Sequence, residues 1–138
     1  MLLVDVHAHL DLFGESESKA VVERAVAAGV KAIIGNSVDP KSMRKTLELQ
    51  QRFKIVKAAL GLYPTEAARL SAAAIEGELN FIRSCRARIV ALGEIGLDYQ
   101  EAKGERERLQ QQRLFEQLRT IDPTDPRLQC PWERGTAQ

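Results

Sequence analysis

Both histidines of the chain stand two positions apart in VDVHAHLD, residues 4–11, beside Asp5 and Asp11. Successive side chains of an extended strand point to opposite faces, so Asp5, His7 and His9 share one face and Val4 and Val6 take the other. Two imidazoles so placed, about 7 Å apart at their Cα atoms, can both reach one cation, whereas a helix would need a spacing of four. Neutral imidazole nitrogen suits zinc, manganese or iron. The spacing by itself serves equally two ordinary histidines bonded to backbone at a strand end.

A second stretch, GEIGLDY at 93–99, closes an apolar run. Alternation puts Val90, Leu92 and Glu94 on one face, and a strand ending at the same rim as the first would let Glu94 face the histidines. A carboxylate has two oxygens and can bridge cations held about 3.5 to 4 Å apart, the arrangement that clamps attacking and leaving oxygens in phosphodiester cleavage. Gly93 and Gly96 permit close backbone approach, and Asp98 is placed to orient a ligand or a water from behind. Taken alone, a glutamate at a strand end is more often a solvated surface group. In LGLYPTEA, 60–67, Gly61 and Pro64 make a loop at that rim. Tyr63 there either meets a base or a phosphate oxygen or, more simply, packs on the loop.

These groups need elements to position them. Four short apolar runs, LLVDV (2–6), KAIIG (31–35), IVKAALGL (55–62) and RIVALGEI (88–95), alternate with helix-like segments, which is a βα repeat. The first helix is expected over 15–28, with Val22 and Val26 on one face and Gly29 ending it. Asp39 and Pro40 read as a cap and first turn, with Met43, Leu47 and Phe53 near one face of the second helix. Ser71 caps a third, carrying Ile75, Leu79 and Ile82. A fourth continues to about Arg119 with Leu114 and Leu118 on one side. Short connections make the crossovers right-handed and the sheet parallel, so the class is α/β. A complete (β/α) barrel needs eight units and about 250 residues, and the chain has 138. An incomplete TIM-type barrel of about four units follows, residues 1–119. A flavodoxin-like sheet would want a phosphate loop after strand one, and no glycine-rich loop stands there.

From residue 120 the sequence loses its period: residues 120–138 hold three of the five prolines and the only tryptophan, Trp132. An irregular tail is expected, with Trp132 as a partner anchor the competing reading. Net charge of +1, with 44% hydrophobic and 28% charged residues, gives no global basic field, so nucleic-acid binding would have to be local. Cys85 and Cys130 suit reduced thiols. The start has no basic leader, and Asp5 and His7 break its apolar run, so a cytoplasmic location without membrane contact is expected.

The succession VDVHAHLD, ALGLYPTEA and VALGEIGLDY resembles the TatD-like metal-dependent hydrolases, a nuclease branch of the amidohydrolase-type barrels, from about residue 2 to 117. The resemblance implies a TIM-type barrel that uses one or two divalent cations (Mg, Mn or Zn) to hydrolyse phosphodiester bonds of DNA. It implies His7 and His9 as first-strand metal ligands and Glu94 as the catalytic, metal-bridging carboxylate. Asp5, Tyr63 and Asp98 then fall beside them as orienting or substrate-touching groups. Members take further ligands, two histidines and an aspartate, from later strands, whereas this sequence has no third histidine. Many carry histidine where Tyr63 stands. The expectation is therefore the N-terminal half of such an enzyme, inactive alone. Its rivals are a small-molecule amidohydrolase, against which GEIGLDY argues, and a non-catalytic fragment whose open barrel seam binds a second chain or a copy of itself.

Overall fold

The computed structural model describes residues 2–119 and 121; Cys130, Trp132 and the rest of the expected tail lie outside the described residues, and its one described residue, Ile121, packs against the larger core. Four parallel strands run in the order β1 (Leu3–Ala8), β2 (Val30–Asn36), β3 (Val56–Leu60), β4 (Ala91–Leu92). Between them lie α1 (Glu15–Ala27), α2 (Pro40–Arg52), the short α3 (Pro64–Ala67) and α4 (Ala72–Ser84), and α5 (Glu105–Arg119) follows β4. The expected half barrel is present. A 3-10 turn at Leu10–Leu12 and α3 are additions that periodicity did not reveal, both being too short to show one.

The helices start and stop for local reasons. Gly29 sits at φ +90° just after α1, a conformation that a residue with a Cβ enters only under strain. At α2 the Asp39 carboxylate accepts the Ser42 N–H at 2.7 Å while the Ser42 hydroxyl accepts the Asp39 N–H at 3.0 Å, a reciprocal cap with Pro40 in the first turn. The Ser71 hydroxyl caps α4 through Ala74 N–H, as the sequence suggested.

Two cores form. Met43 and Leu47 of α2 join Ala58, Leu60, Ile75, Leu79, Ile82, Leu114 and Leu118 in the larger one. Leu49 joins Leu10, Val22, Ile33 and Val56 in the smaller. Helix α2 thus carries two apolar stripes, and Phe53, expected beside Met43 and Leu47, belongs to the second. Val26 departs from expectation as well, being 51% exposed. Four residues advance a helix about 40° past a full turn, so the stripe from Ser18 through Val22 continues at Ala25 instead.

On β3, Ala58 and Leu60 face the helices, which leaves Ala59 on the concave side that the barrel encloses. Leu2, Val4 and Val6 at the β1 edge are exposed, and neither outer edge, of β1 or of β4, has a strand partner among the described residues. Among those residues no helix is long and apolar enough to cross a membrane. Replacing Asp39 with Ala removes one half of the α2 cap; it should lower unfolding stability by about 1 kcal/mol in urea titration with an unchanged slope, a typical value for a lost cap.

Candidate metal centre

Strand β1 ends at Ala8, so His7 projects from the strand and His9 from the turn after it, at φ −114° and ψ 65°. Strict alternation through His9 does not hold. The rings nonetheless converge: the two Nε2 atoms are 3.1 Å apart with ring planes at 74°. Glu94 also lies beyond its strand, two residues past Leu92, yet its Oε2 stands 3.8 Å from His7 Nε2 and 3.7 Å from His9 Nε2. These three are the group of histidine, cysteine and acidic side chains that could hold a cation among the described residues.

The distances, which also suit a hydrogen bond between the rings, suit a shared cation. A triangle with these sides has its centre about 2.1 Å from each corner, matching the roughly 2.0 to 2.2 Å at which zinc meets nitrogen or carboxylate oxygen. Two unprotonated ring nitrogens so close repel each other unless a proton or a cation lies between them. Three protein donors on one side leave positions open, the form that catalytic rather than structural sites take. The residues present fit a divalent ion.

Bringing these groups together requires the sheet to curl. In a flat sheet β1 and β4, three spacings apart, would be separated by about 14 Å. The curl is pinned behind Glu94, whose N–H donates to the Ser37 carbonyl at 2.7 Å while Gly93 N–H donates to Leu60 O at 2.9 Å. A Cβ at Gly61 would stand 2.4 Å from Glu94 O and 2.8 Å from Glu94 N, so only glycine lets this peptide lie there. The buried Ser37 hydroxyl accepts Gly61 N–H at 3.0 Å. The sequence had offered Gly93 and Gly96 as the close-approach glycines. Gly93 is one, but Gly96 has open space around it and Gly61 is the tighter.

Of the neighbouring residues, Asp5 uses Oδ1 to accept His7 N–H at 3.1 Å, so it braces the strand backbone that carries the first imidazole. Tyr63 donates its hydroxyl to Asp98 Oδ2 at 2.6 Å, which commits its one proton to that carboxylate. The bond pushes the Tyr63 phenol up to about 12 and holds Asp98 below the usual carboxylate range. Glu101 N–H donates to the other Asp98 oxygen at 3.1 Å. Gln111, buried on α5, clamps the Asp98 backbone: its Oε1 accepts Asp98 N–H at 2.8 Å and its Nε2 donates to Asp98 O at 3.1 Å. Within the run QQQ nothing distinguishes Gln111 except its phase on the buried face with Leu114 and Leu118.

Both shifts keep the Tyr63–Asp98 pair intact at neutral pH. Asp98's stabilising part is present above 3.8 and fades as pH falls below it. Tyr63's is complete below 10.0, its value when unpaired, and fades as pH rises toward about 12. Alkaline titration of tyrosinate absorbance should show one late phenol near 12, and Asp98→Asn should bring that midpoint back toward 10; an unchanged midpoint would show that the bond is absent in solution.

Residues 4–121 match the family described as TatD related DNase. A metal-dependent hydrolase TatD from Mycobacterium tuberculosis, itself called uncharacterized, is 38% identical over 99 residues, covering 70% of this chain and 37% of that protein. The human protein named Deoxyribonuclease TATDN3 is 27% identical over 127 residues, covering 84% of this chain and 46% of its own length. Among solved structures, YjjV, a TatD homologue from Escherichia coli K12, superposes with a TM-score of 0.72 at 30% identity, over 86% of this chain and 46% of that one. The chain thus spans less than half the length of the relatives it matches. What it matches in them begins on β1 with the histidine pair and runs through α5, and on that match the chain belongs to the TatD related DNase family.

Proposed function

We propose that this chain is the N-terminal, metal-binding half of a hydrolase that cleaves phosphodiester bonds in DNA with one or two divalent cations, Mg, Mn or Zn. The observation that carries the proposal is the convergence of two imidazole nitrogens and one carboxylate oxygen on a point about 2.1 Å from each. DNA as substrate is supported by the family's description and by the deoxyribonuclease name of the human relative. A divalent cation at that point would supply Lewis acidity and a bound water of lowered pKa.

The chain's own groups have separable tasks in this reading. His7 and His9 offer neutral Nε2 atoms as metal donors, and Glu94 offers a carboxylate that can also take a proton from water or reach a second cation. Tyr63, whose proton is held by Asp98, meets substrate as a hydrogen-bond acceptor. Residues 1–119 form the barrel half in this reading. Catalysis needs groups fixed on all sides of the reacting phosphorus, and here one side of the site stands open to solvent.

The exposed Leu2, Val4 and Val6 and the edges of β1 and β4, which have no strand partner among the described residues, support association of this half with another (β/α) half or with a copy of itself through the seam.

Calorimetry should show weak binding of Zn²⁺ or Mn²⁺ by the whole chain and none by the His7→Ala, His9→Ala double variant; equal binding by both would remove the site. The chain alone should cleave DNA little. Fusion to the C-terminal half of the Escherichia coli relative should restore cleavage, and Glu94→Gln should then abolish it, by more than the roughly 100-fold that an outer-shell partner is worth. Light scattering should show association rather than a single monomer species.

A further inference from the structure

The β1–β2 ladder is irregular where it matters most. Asp5 pairs with Ile33 and Ala8 with Gly35, and the register shifts between them, in the segment that contains His7. In that gap the Asn36 side chain supplies a bond: its Nδ2 donates to the Val6 carbonyl at 3.4 Å and to the Ile34 carbonyl at 3.2 Å. Val6 O belongs to the peptide that leads into His7. The other end of the same amide reaches the opposite edge of the sheet, because a Cβ at Gly93 would stand 3.0 Å from Asn36 Oδ1. Gly93 is the residue before Glu94, and the Glu94 N–H donates to the carbonyl of Ser37, the residue after Asn36.

We infer that Asn36 is a positioning residue of the metal site, its side-chain amide wedged between the His7 peptide and the Gly93–Glu94 turn so that it sets the separation of the two ligand-bearing strand ends. The inference rests on the metal-centre reading of His7, His9 and Glu94. A planar amide suits the task. One end donates to a carbonyl in the segment where the ladder slips, and the other end presents a flat oxygen against a residue with no side chain. Asn36 is only 8% exposed, and a buried amide is retained at a loss of apolar packing unless its bonds hold something in place. An apolar residue of similar size would take that donor from Val6 O and press a branched carbon on Gly93.

The geometry makes the two residues interdependent, which a double-mutant cycle reads directly. Gly93→Ala adds a carbon against Asn36 Oδ1 and should spread the ligands. Asn36→Ala removes the oxygen that the carbon would meet. Binding of Zn²⁺ alone by calorimetry, and the visible absorption of the Co²⁺-loaded chain, are measured on wild type, each single variant and the double. Asn36→Asp is added as an isosteric variant that keeps the wedge but not the donor.

Asn36→Ala should weaken Zn²⁺ about tenfold, in the range seen for groups that orient metal ligands, and should change the Co²⁺ spectrum. Gly93→Ala should weaken binding likewise, and the double variant should bind no worse than the weaker single. Asn36→Asp should fall between wild type and Asn36→Ala. Urea melts of the metal-free proteins show whether each variant is folded, so a loss of binding in a folded variant is a loss of placement. Wild-type affinity and an unchanged Co²⁺ spectrum in Asn36→Ala, or strictly additive losses in the double variant, would overturn the positioning role while leaving the metal site standing. Failure of the wild type to bind Zn²⁺ would overturn both.

Discussion

The peptide of Glu94 lies on Gly61 so closely that no side chain fits between them. That contact makes the remainder of the site possible. β1 and β4 are the two edges of a four-stranded sheet, and their ends can face each other only if the sheet curls and the end of β4 folds over β3. Gly61 vacates the space, the Ser37 carbonyl takes the Glu94 N–H, and the Ser37 hydroxyl takes the Gly61 N–H. Each bond is short-range, but together they fix one carboxylate opposite two imidazoles. The helices back the sheet: Leu79, Ile82 and Leu118 are fully buried in the core that also holds Ala58 and Leu60 of β3, at about 1.5 to 3 kcal/mol each for complete burial.

The electrostatics of the cluster follow from where it sits. His7 is 53% exposed at its side chain and Glu94 29%, so water screens the attraction between them and an imidazolium–carboxylate pair would contribute little. Distances of 3.7 and 3.8 Å are long for such a pair and right for three donors around a common centre. The same openness limits chemistry. Preorganised groups act most strongly where water is excluded, and the exposed face of this half barrel admits water freely.

A second line of contacts joins the rim to the helical layer. Tyr63 begins α3, Asp98 lies in the loop after β4, and Gln111 sits on α5. The phenol meets the carboxylate while the buried amide holds the carboxylate's own backbone at both its N–H and its C=O. The loop that carries Glu94 at one end is therefore anchored at its other end to a helix whose Leu114 and Leu118 are core residues. Asp11 is the one exception to this economy: burial pushes its carboxyl up, and its Oδ1 has no hydrogen-bond partner among the described residues.

Much of this was legible in the chain itself. Apolar runs separated by capped, 3.6-periodic segments specified β1 to β3, α1, α2, α4 and α5, because helix caps and burial stripes are local properties that sequence writes directly. The two histidines and GEIGLDY marked the candidate ligand set that the fold brings together, since only a few residue types bind cations. Position was another matter. His9 and Glu94 lie beyond their strands, so alternation along a strand could suggest that they meet but not how. Asn36 and Ser37 carried no chemical signal and Gly61 only that of a loop glycine, being residues whose importance comes from what lies against them after the sheet curls. Gln111 is the same kind of case, one glutamine of three until α5 turns it toward Asp98. Composition and period fix which elements form, because each is decided within a few residues; the meeting of two sheet edges is decided by contacts made between residues dozens of positions apart, and only the folded chain contains those.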